Sequence, residues 1–209
     1  MESFWDDGEA VRYTGDLAQC LYAARLLGKE ESLILPGGSM SVKIREKNVF
    51  GEEEDILYVS GLGWDLENIE ADGFSPLRLA HLIRLIEYDS LSDTQLASEI
   101  QNNMTDASAP TVPLEAMFHA VVPCKYVDYI QTDAVLAIAN TPNGLEHFQE
   151  IYGDLVIVVP YARAGLPLAK VCAEAFAAGV GEDVIGIVLA HQGIVSFGET
   201  ARVSVSLAP

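Results

Sequence analysis

Residues 126–141 read YVDYIQTDAVLAIANT. Residues 125–130 have the β-branched and aromatic character of a strand, and residues 133–140 have the composition of a helix that starts without a linker, with Asp133 placed to cap it. A strand passing directly into a helix is the joint of an α/β layer. On that strand Tyr129 and Gln131 stand two residues apart, so both side chains leave by the same face. Either they form a polar site or they occupy the place of one.

The same alternation extends outward in both directions. Downstream, a TPNG turn leads into a helix over 145–153, a strand at 154–160 and a helix over 166–179, followed by two apolar strands within 183–198 that meet at His191, Gln192 and Gly193. Upstream, residues 9–28 carry Leu17, Cys20, Leu21, Ala24 and Leu27 on one helical stripe that Gly28 ends. Strands are predicted at SLIL (32–35), SVKIR (41–45) and DILYVS (55–60), with PGGS at 36–39 as a turn between the first two. Ser75 and Pro76 read as the cap and first residue of a helix running through 77–89, and a second helix covers 92–103. A helix begins at Pro113 and carries Glu115 and His119 on one face. The whole is read as one domain over residues 1–209, α/β in class, with a sheet covered by helices.

Composition narrows what this domain can bind. Twelve basic against 31 acidic residues give a formal net charge of −19, which repels nucleic-acid phosphates and anionic lipid headgroups. Neither a nucleic acid nor a membrane is an expected partner. Lys43, Lys125 and Lys170 are the isolated cations that could make a local anion pocket. The widely spaced Cys20, Cys124 and Cys172 fit neither zinc nor disulfide spacing and read as reduced thiols of a cytoplasmic protein. The N-terminal MESFWDDGEA has no signal-peptide pattern, and no apolar run approaches membrane-spanning length.

Individual motifs say little. GLGWDL places Leu66 where a dinucleotide fingerprint needs its third glycine, and Walker A and GxSxG patterns are missing. PGGSMSVK (36–43) offers amides, hydroxyls and a lysine to an anion, although a plain tight turn satisfies the same residues. His191 before a glycine at a strand end can project into a cleft or serve as a structural hydrogen-bonder. Glu115 and His119 could form an acid/base or metal pair or an ordinary surface pairing.

Their order along the chain is more specific. SLILPGGSMSVK, LYVSGLGWDL, PLEAMFHAVVP, YVDYIQTDAVLAIANTPNG, EIYGDLVIVVPY and LAHQGIVSFGETA together resemble the class II aldolase and adducin family, in particular the aldolase domain that some bacterial proteins fuse to a short-chain dehydrogenase. That second domain is absent from these 209 residues. The resemblance implies a three-layer αβα domain with a central, mixed but mainly antiparallel sheet. It also implies zinc or another divalent metal held by three histidines, with a glutamate moving the proton during carbon–carbon cleavage of a phosphorylated sugar to an aldehyde. A homotetramer is implied as well.

Carried over by position, Glu115 is the acid/base and His191 the third metal ligand, while Tyr129 and Gln131 fall on the His-x-His pair. A carboxamide is a weak zinc ligand and a phenol with pKa near 10 must first ionise, so the metal site reads as degenerate, with no metal bound as one expected outcome. Gly38, Ser39, Ser60 and Gly61 take the phosphate-binding positions, with Ser39 in place of an asparagine and Pro113 and Leu114 ahead of Glu115 where a serine is usual. The C-terminal stretch after Gly198-Glu199-Thr200 is shorter than the family's helical tail, and no tyrosine follows Tyr161. The resemblance thus allows a fold whose retro-aldol activity is weakened, altered or lost. It also allows an active lyase or epimerase using Glu115 and His191 with Asp133 or His119, or a binding and assembly module of the adducin kind.

Overall fold

The computed structural model describes residues 5–178, 181 and 184–206. Among these, seven strands form one sheet: β1 (Leu33–Lys47), β2 (Glu53–Ser60), β3 (Phe74–Arg78), β4 (Tyr126–Thr132), β5 (Val156–Val159), β6 (Gly186–Leu189) and β7 (Gly193–Gly198). They lie in the order β3-β2-β1-β4-β7-β6-β5, antiparallel at every junction except the parallel β5–β6 pair. The opening stretch of the sequence is the centre of this sheet. Every residue of β4 is buried except the half-buried Gln131, which requires paired edges and cover on both faces.

Nine described helices supply the cover: α1 (Asp7–Ala10), α2 (Asp16–Gly28), α3 (Leu79–Leu85), α4 (Asp93–Asn102), α5 (Ala116–Val121), α6 (Asp133–Ala139), α7 (Gly144–Tyr152), α8 (Leu166–Ala177) and α9 (Ala201–Ser206). Residues of α3, α4, α5 and α8 pack with Val127, Tyr129, Val195 and Phe197 on one face of the sheet. Residues of α2, α6, α7 and α9 pack with Met40, Tyr126, Ile130 and Ile194 on the other. The period-two alternation along β4 thus separates two apolar cores, and the architecture is the expected three-layer αβα domain with a mainly antiparallel sheet.

Local readings differ where tertiary contacts override propensity. PGGS is not a turn between two strands, because SLIL and SVKIR belong to one continuous β1. Against β4, Leu33 pairs with Thr132 and Gly38 with Ile130, so the residues between them are accommodated as a bulge. Gly38, at φ +140°, sits where a β-carbon would come within 2.8 Å of Tyr129 O. Its first role is close backbone approach. Ser75 and Pro76 do not open a helix: they lie in β3, an edge strand where proline's missing N–H costs no ladder bond, and α3 starts at Leu79. The stripe over 9–28 is interrupted ahead of α2, whose N-cap is Gly15. Helix α5 starts at Ala116 rather than Pro113, and Thr132, not Asp133, caps α6 by accepting from Val135 N at 3.2 Å.

The three cysteines are unpaired thiols, and no described helix is long and apolar enough to cross a membrane. Gly28 sits where a β-carbon would overlap Glu67 N, so the end of α2 abuts the 64–67 loop backbone to backbone.

On the α2 face, β4 buries Asp128 completely, and neither carboxyl oxygen has a hydrogen-bond partner among the described residues. Burial lifts its pKa to about 7, and the neighbouring Ser204 hydroxyl offsets only part of that effect. The folded state therefore favours the protonated acid: the contribution to stability is complete below the unfolded value near 4 and is lost as pH rises through about 7. Asp128→Asn should stabilise the protein at pH 8 by an amount on the order of 2 to 4 kcal/mol and have little effect near pH 4. Urea unfolding at the two pH values checks this, and equal effects at both would show that ionisation is not the cause.

Candidate active-site cleft

Strand β1 and helix α5 build the site between them. Along β1, Ser39, Ser41 and Lys43 recur every second residue and reach α5 and the segment that follows it. Ser39 Oγ lies 2.7 Å from His119 Nε2 and Ser41 Oγ lies 2.8 Å from His119 Nδ1. Lys43 Nζ donates to the Val122 and Cys124 carbonyls beyond the helix. The His119 side chain is wholly buried and stacks on Phe118, with ring centroids 4.4 Å apart. Burial, reinforced by the Lys43 charge, pushes its pKa down to about 3, against a smaller upward effect from the Val127 carbonyl. The imidazole is therefore neutral, with one donor and one acceptor nitrogen. Sequence had paired His119 with Glu115, whereas the fold gives it to two serines about 80 residues away in sequence.

Ser39 also lines a cleft of about 550 Å³ together with Gly38, Ser60 and Gly61. All four positions assigned to phosphate binding by resemblance thus come together, with Leu62, Gly63, Trp64, Asp65, Leu66 and Pro113 completing the walls. Pro113 leads to Glu115, which is half-buried at the N-terminal end of α5. The Glu115 charge acts on Tyr129, although burial is the main reason that the phenol's pKa is raised, and donation from Gln131 works the other way. Glu115 and Tyr129 therefore share one neighbourhood.

Tyr129 and Gln131 are engaged with each other. Gln131 Nε2 donates to the Tyr129 hydroxyl at 2.8 Å, and that hydroxyl donates to Gln192 O at 3.0 Å. Gln192 in turn donates from Nε2 to Ala162 O at 2.7 Å. This network ties β4 to the β6–β7 turn. His191, inside that turn, is exposed and adopts φ 60°, and its Nδ1 lies 2.9 Å from Asn140 Oδ1. Asn140, whose Nδ2 donates to Leu136 O, presents Oδ1 to Nδ1 and so fixes the orientation of the ring. His191 faces a second hollow of about 270 Å³ beside the α6–α7 turn.

A zinc ion does not fit this donor set. It comprises one imidazole, a protonated phenol used as both donor and acceptor, and a carboxamide turned toward that phenol. Among the described residues no group of three or more His, Cys, Asp or Glu side chains is placed to hold a metal. The substitutes considered from sequence fare no better: His119 has both nitrogens engaged, and Asp133 is exposed at the start of α6. Sequence reasoning missed the Ser39–His119–Ser41 bridge, the Gln192 and Asn140 partners, and the contribution of Trp64 and Asp65 to the cleft. The apolar residues flanking His119, namely Phe118 and Ala120, were the available signal that this histidine is buried.

Comparison with known proteins agrees with this architecture. A family model described as the Class II Aldolase and Adducin N-terminal domain matches residues 18–208. A solved structure of the N-terminal class II aldolase domain of a conserved protein from Thermoplasma acidophilum is 29% identical, with a TM-score of 0.89 over 99% of this chain and 93% of that one. A sugar-phosphate aldolase from Thermotoga maritima shares the fold at 13% identity, with a TM-score of 0.61 over 96% of this chain and 89% of that one. The uncharacterized oxidoreductase YuxG of Bacillus subtilis (strain 168) is 30% identical over 203 residues, covering 97% of this chain and 29% of that protein. The chain thus spans less than a third of that relative's length. From the match along nearly its whole length, the chain belongs to the class II aldolase and adducin family.

Proposed function

We propose that this domain keeps the small-molecule cleft of a class II aldolase while its metal-dependent retro-aldol activity is weakened, altered or lost. The observation that carries this reading is the Gln131–Tyr129–Gln192 network, which occupies the two positions where the family's His-x-His pair would stand. Gly38, Ser39, Ser60 and Gly61 are proposed to contact the ligand, a sugar-type hydroxy-carbonyl compound with or without a phosphate, and Glu115 is the group placed to move a proton. His191 is the one ligand position that retains an imidazole. Cytoplasmic location and homo-oligomeric assembly, as a tetramer, are part of the same proposal.

Without a bound metal, Glu115 could still accept a proton from a carbon next to a carbonyl, but no cation would stabilise the enediolate that forms. Slow proton exchange or binding without turnover is the expected behaviour. Metal content of protein purified without chelator, measured by mass spectrometry, should be well below one zinc per chain. Near-stoichiometric zinc that disappears in His191→Ala would overturn the proposal in favour of an active lyase or epimerase.

Two variants test the geometry behind it. Tyr129→His combined with Gln131→His should create zinc binding that also requires His191. Failure of this double variant, if it folds, would mean that the ligand geometry has gone along with the ligands. Tyr129→Phe, which removes both bonds to the hydroxyl, should cost about 1 to 2 kcal/mol in urea unfolding.

A further inference from the structure

We infer that Trp64 is a specificity-determining residue: its indole closes the glycine-loop end of the cleft, so that a ligand must end at Gly38, Ser39, Ser60 and Gly61 and cannot continue past them. The inference names what limits the ligand of the cleft proposed above and rests on that reading.

Beyond that end of the cleft lies another hollow, of about 540 Å³ against about 550 Å³ for the cleft itself. Among the described residues Trp64 alone lines both. Beside it the two spaces meet at a backbone contact. Gly61, in the cleft, abuts Pro110, in the hollow, so closely that a β-carbon on Gly61 would overlap Pro110 Cβ. Hydrogen bonds pin that contact from both sides: Gly61 N donates to Gly73 O at 2.9 Å, Leu62 N to Thr111 O at 2.8 Å, and Ser75 Oγ to Pro110 O at 2.7 Å. The indole is therefore the part of the wall that a side-chain substitution can remove.

Trp64 is anchored where it stands. Its ring lies against Gly73, where a β-carbon would come within 3.0 Å of Trp64 Cδ2 and 3.1 Å of Cε2. The ring also packs on the core that contains Ile69 and Phe74. On its C-terminal side Asp65 fixes the backbone, with Oδ1 accepting from Glu67 N and Oδ2 from Asn68 Nδ2, both at 3.2 Å. A ring held in this way acts by steric exclusion: a ligand that continues past it meets packed carbon, and such a clash discriminates without any new attractive contact. The hollow behind the ring has the lining for a neutral sugar. Tyr58, Phe74 and Pro76 supply apolar surface, Asp72 and Thr105 supply polar groups, and no lysine or arginine lines it. Without the indole, the cleft would roughly double in volume and reach that lining.

Calorimetric titration with D-fructose, D-fructose 1-phosphate and inulobiose, in which a second fructosyl unit takes the place of the phosphate on O1, tests this. The unmodified protein should bind inulobiose at least about tenfold more weakly than the tighter of the other two ligands. Trp64→Ala should narrow that gap to less than about threefold, by admitting the second sugar to the hollow. Equal binding of inulobiose by the unmodified protein, or an unchanged gap in folded Trp64→Ala, would overturn this inference and leave the proposed cleft standing. A second measurement keeps the indole in place and, with the preference of the unmodified protein, decides the matter if Trp64→Ala does not fold. In Trp5→Phe, whose one remaining tryptophan is Trp64, the tighter of D-fructose and its ester should lower acrylamide quenching of the fluorescence at least about twofold. Bound ligand without that protection would also overturn the inference. Binding of none of the three ligands would overturn the small-molecule cleft itself and this inference with it.

Discussion

The join between β1 and α5 governs the rest of this molecule, and one imidazole makes most of it. His119 is enclosed on every side, neutral, and bonded through both nitrogens to serines on a single strand. Two residues further along the same face, Lys43 grips the carbonyls at the end of the helix, so three alternate side chains of β1 hold one short helical segment. Such a segment, six residues long, could not be stable alone, since isolated helices need about 12 to 15 residues. Its position comes from the strand. Glu115 at one end of the helix and Ser39 at the edge of the cleft acquire their relation through this contact.

The face of β4 that packs against α5 has a different character. Tyr129 pairs in register with Ser39 on β1 and Val195 on β7, and its hydroxyl is held between Gln131 and Gln192. Tyr129, Gln131 and Gln192 thus form a hydrogen-bonded strap from β4 to the β6–β7 turn. Metal ligands are held in place by the ion they share, and a strap that satisfies its own donors and acceptors has no such need. Tyr129 also packs edge-on against Phe118, with ring centroids 5.5 Å apart, so this side chain couples β4 to the core under α5.

Much of the fold was legible because it rests on local pattern. The strand-to-helix joint at 126–141, the amphipathic stripe ending at Gly28 and the capped helix after Ser92 are all set by spacing and by capping chemistry. Misreadings fell where a distant neighbour decided. Pro76 resembles a helix start, yet it lies in an edge strand because β2 pairs with the residues around it. PGGS resembles a turn, yet β4 runs alongside it and draws the chain into one long strand with a bulge. For the site, the order of motifs located Glu115, His191, Ser39 and Ser60 in one molecule, but hydrogen-bond direction is a property of pairs that the sequence keeps some 80 residues apart.

The sequence by itself determined the alternation of strands and helices, the strand-to-helix joint at 126–141 and the chemical types at each site position, since periodicity and residue identity are local properties. It determined too that positions 129 and 131 carry a phenol and a carboxamide, because a side chain's ligand chemistry does not depend on where it folds. Only the tertiary structure decided which of those groups are already engaged. Ser39 reads as a free hydroxyl in the sequence, and in the fold it is bonded to the buried His119 imidazole at 2.7 Å, because β1 and α5 bring together two groups that lie far apart along the chain.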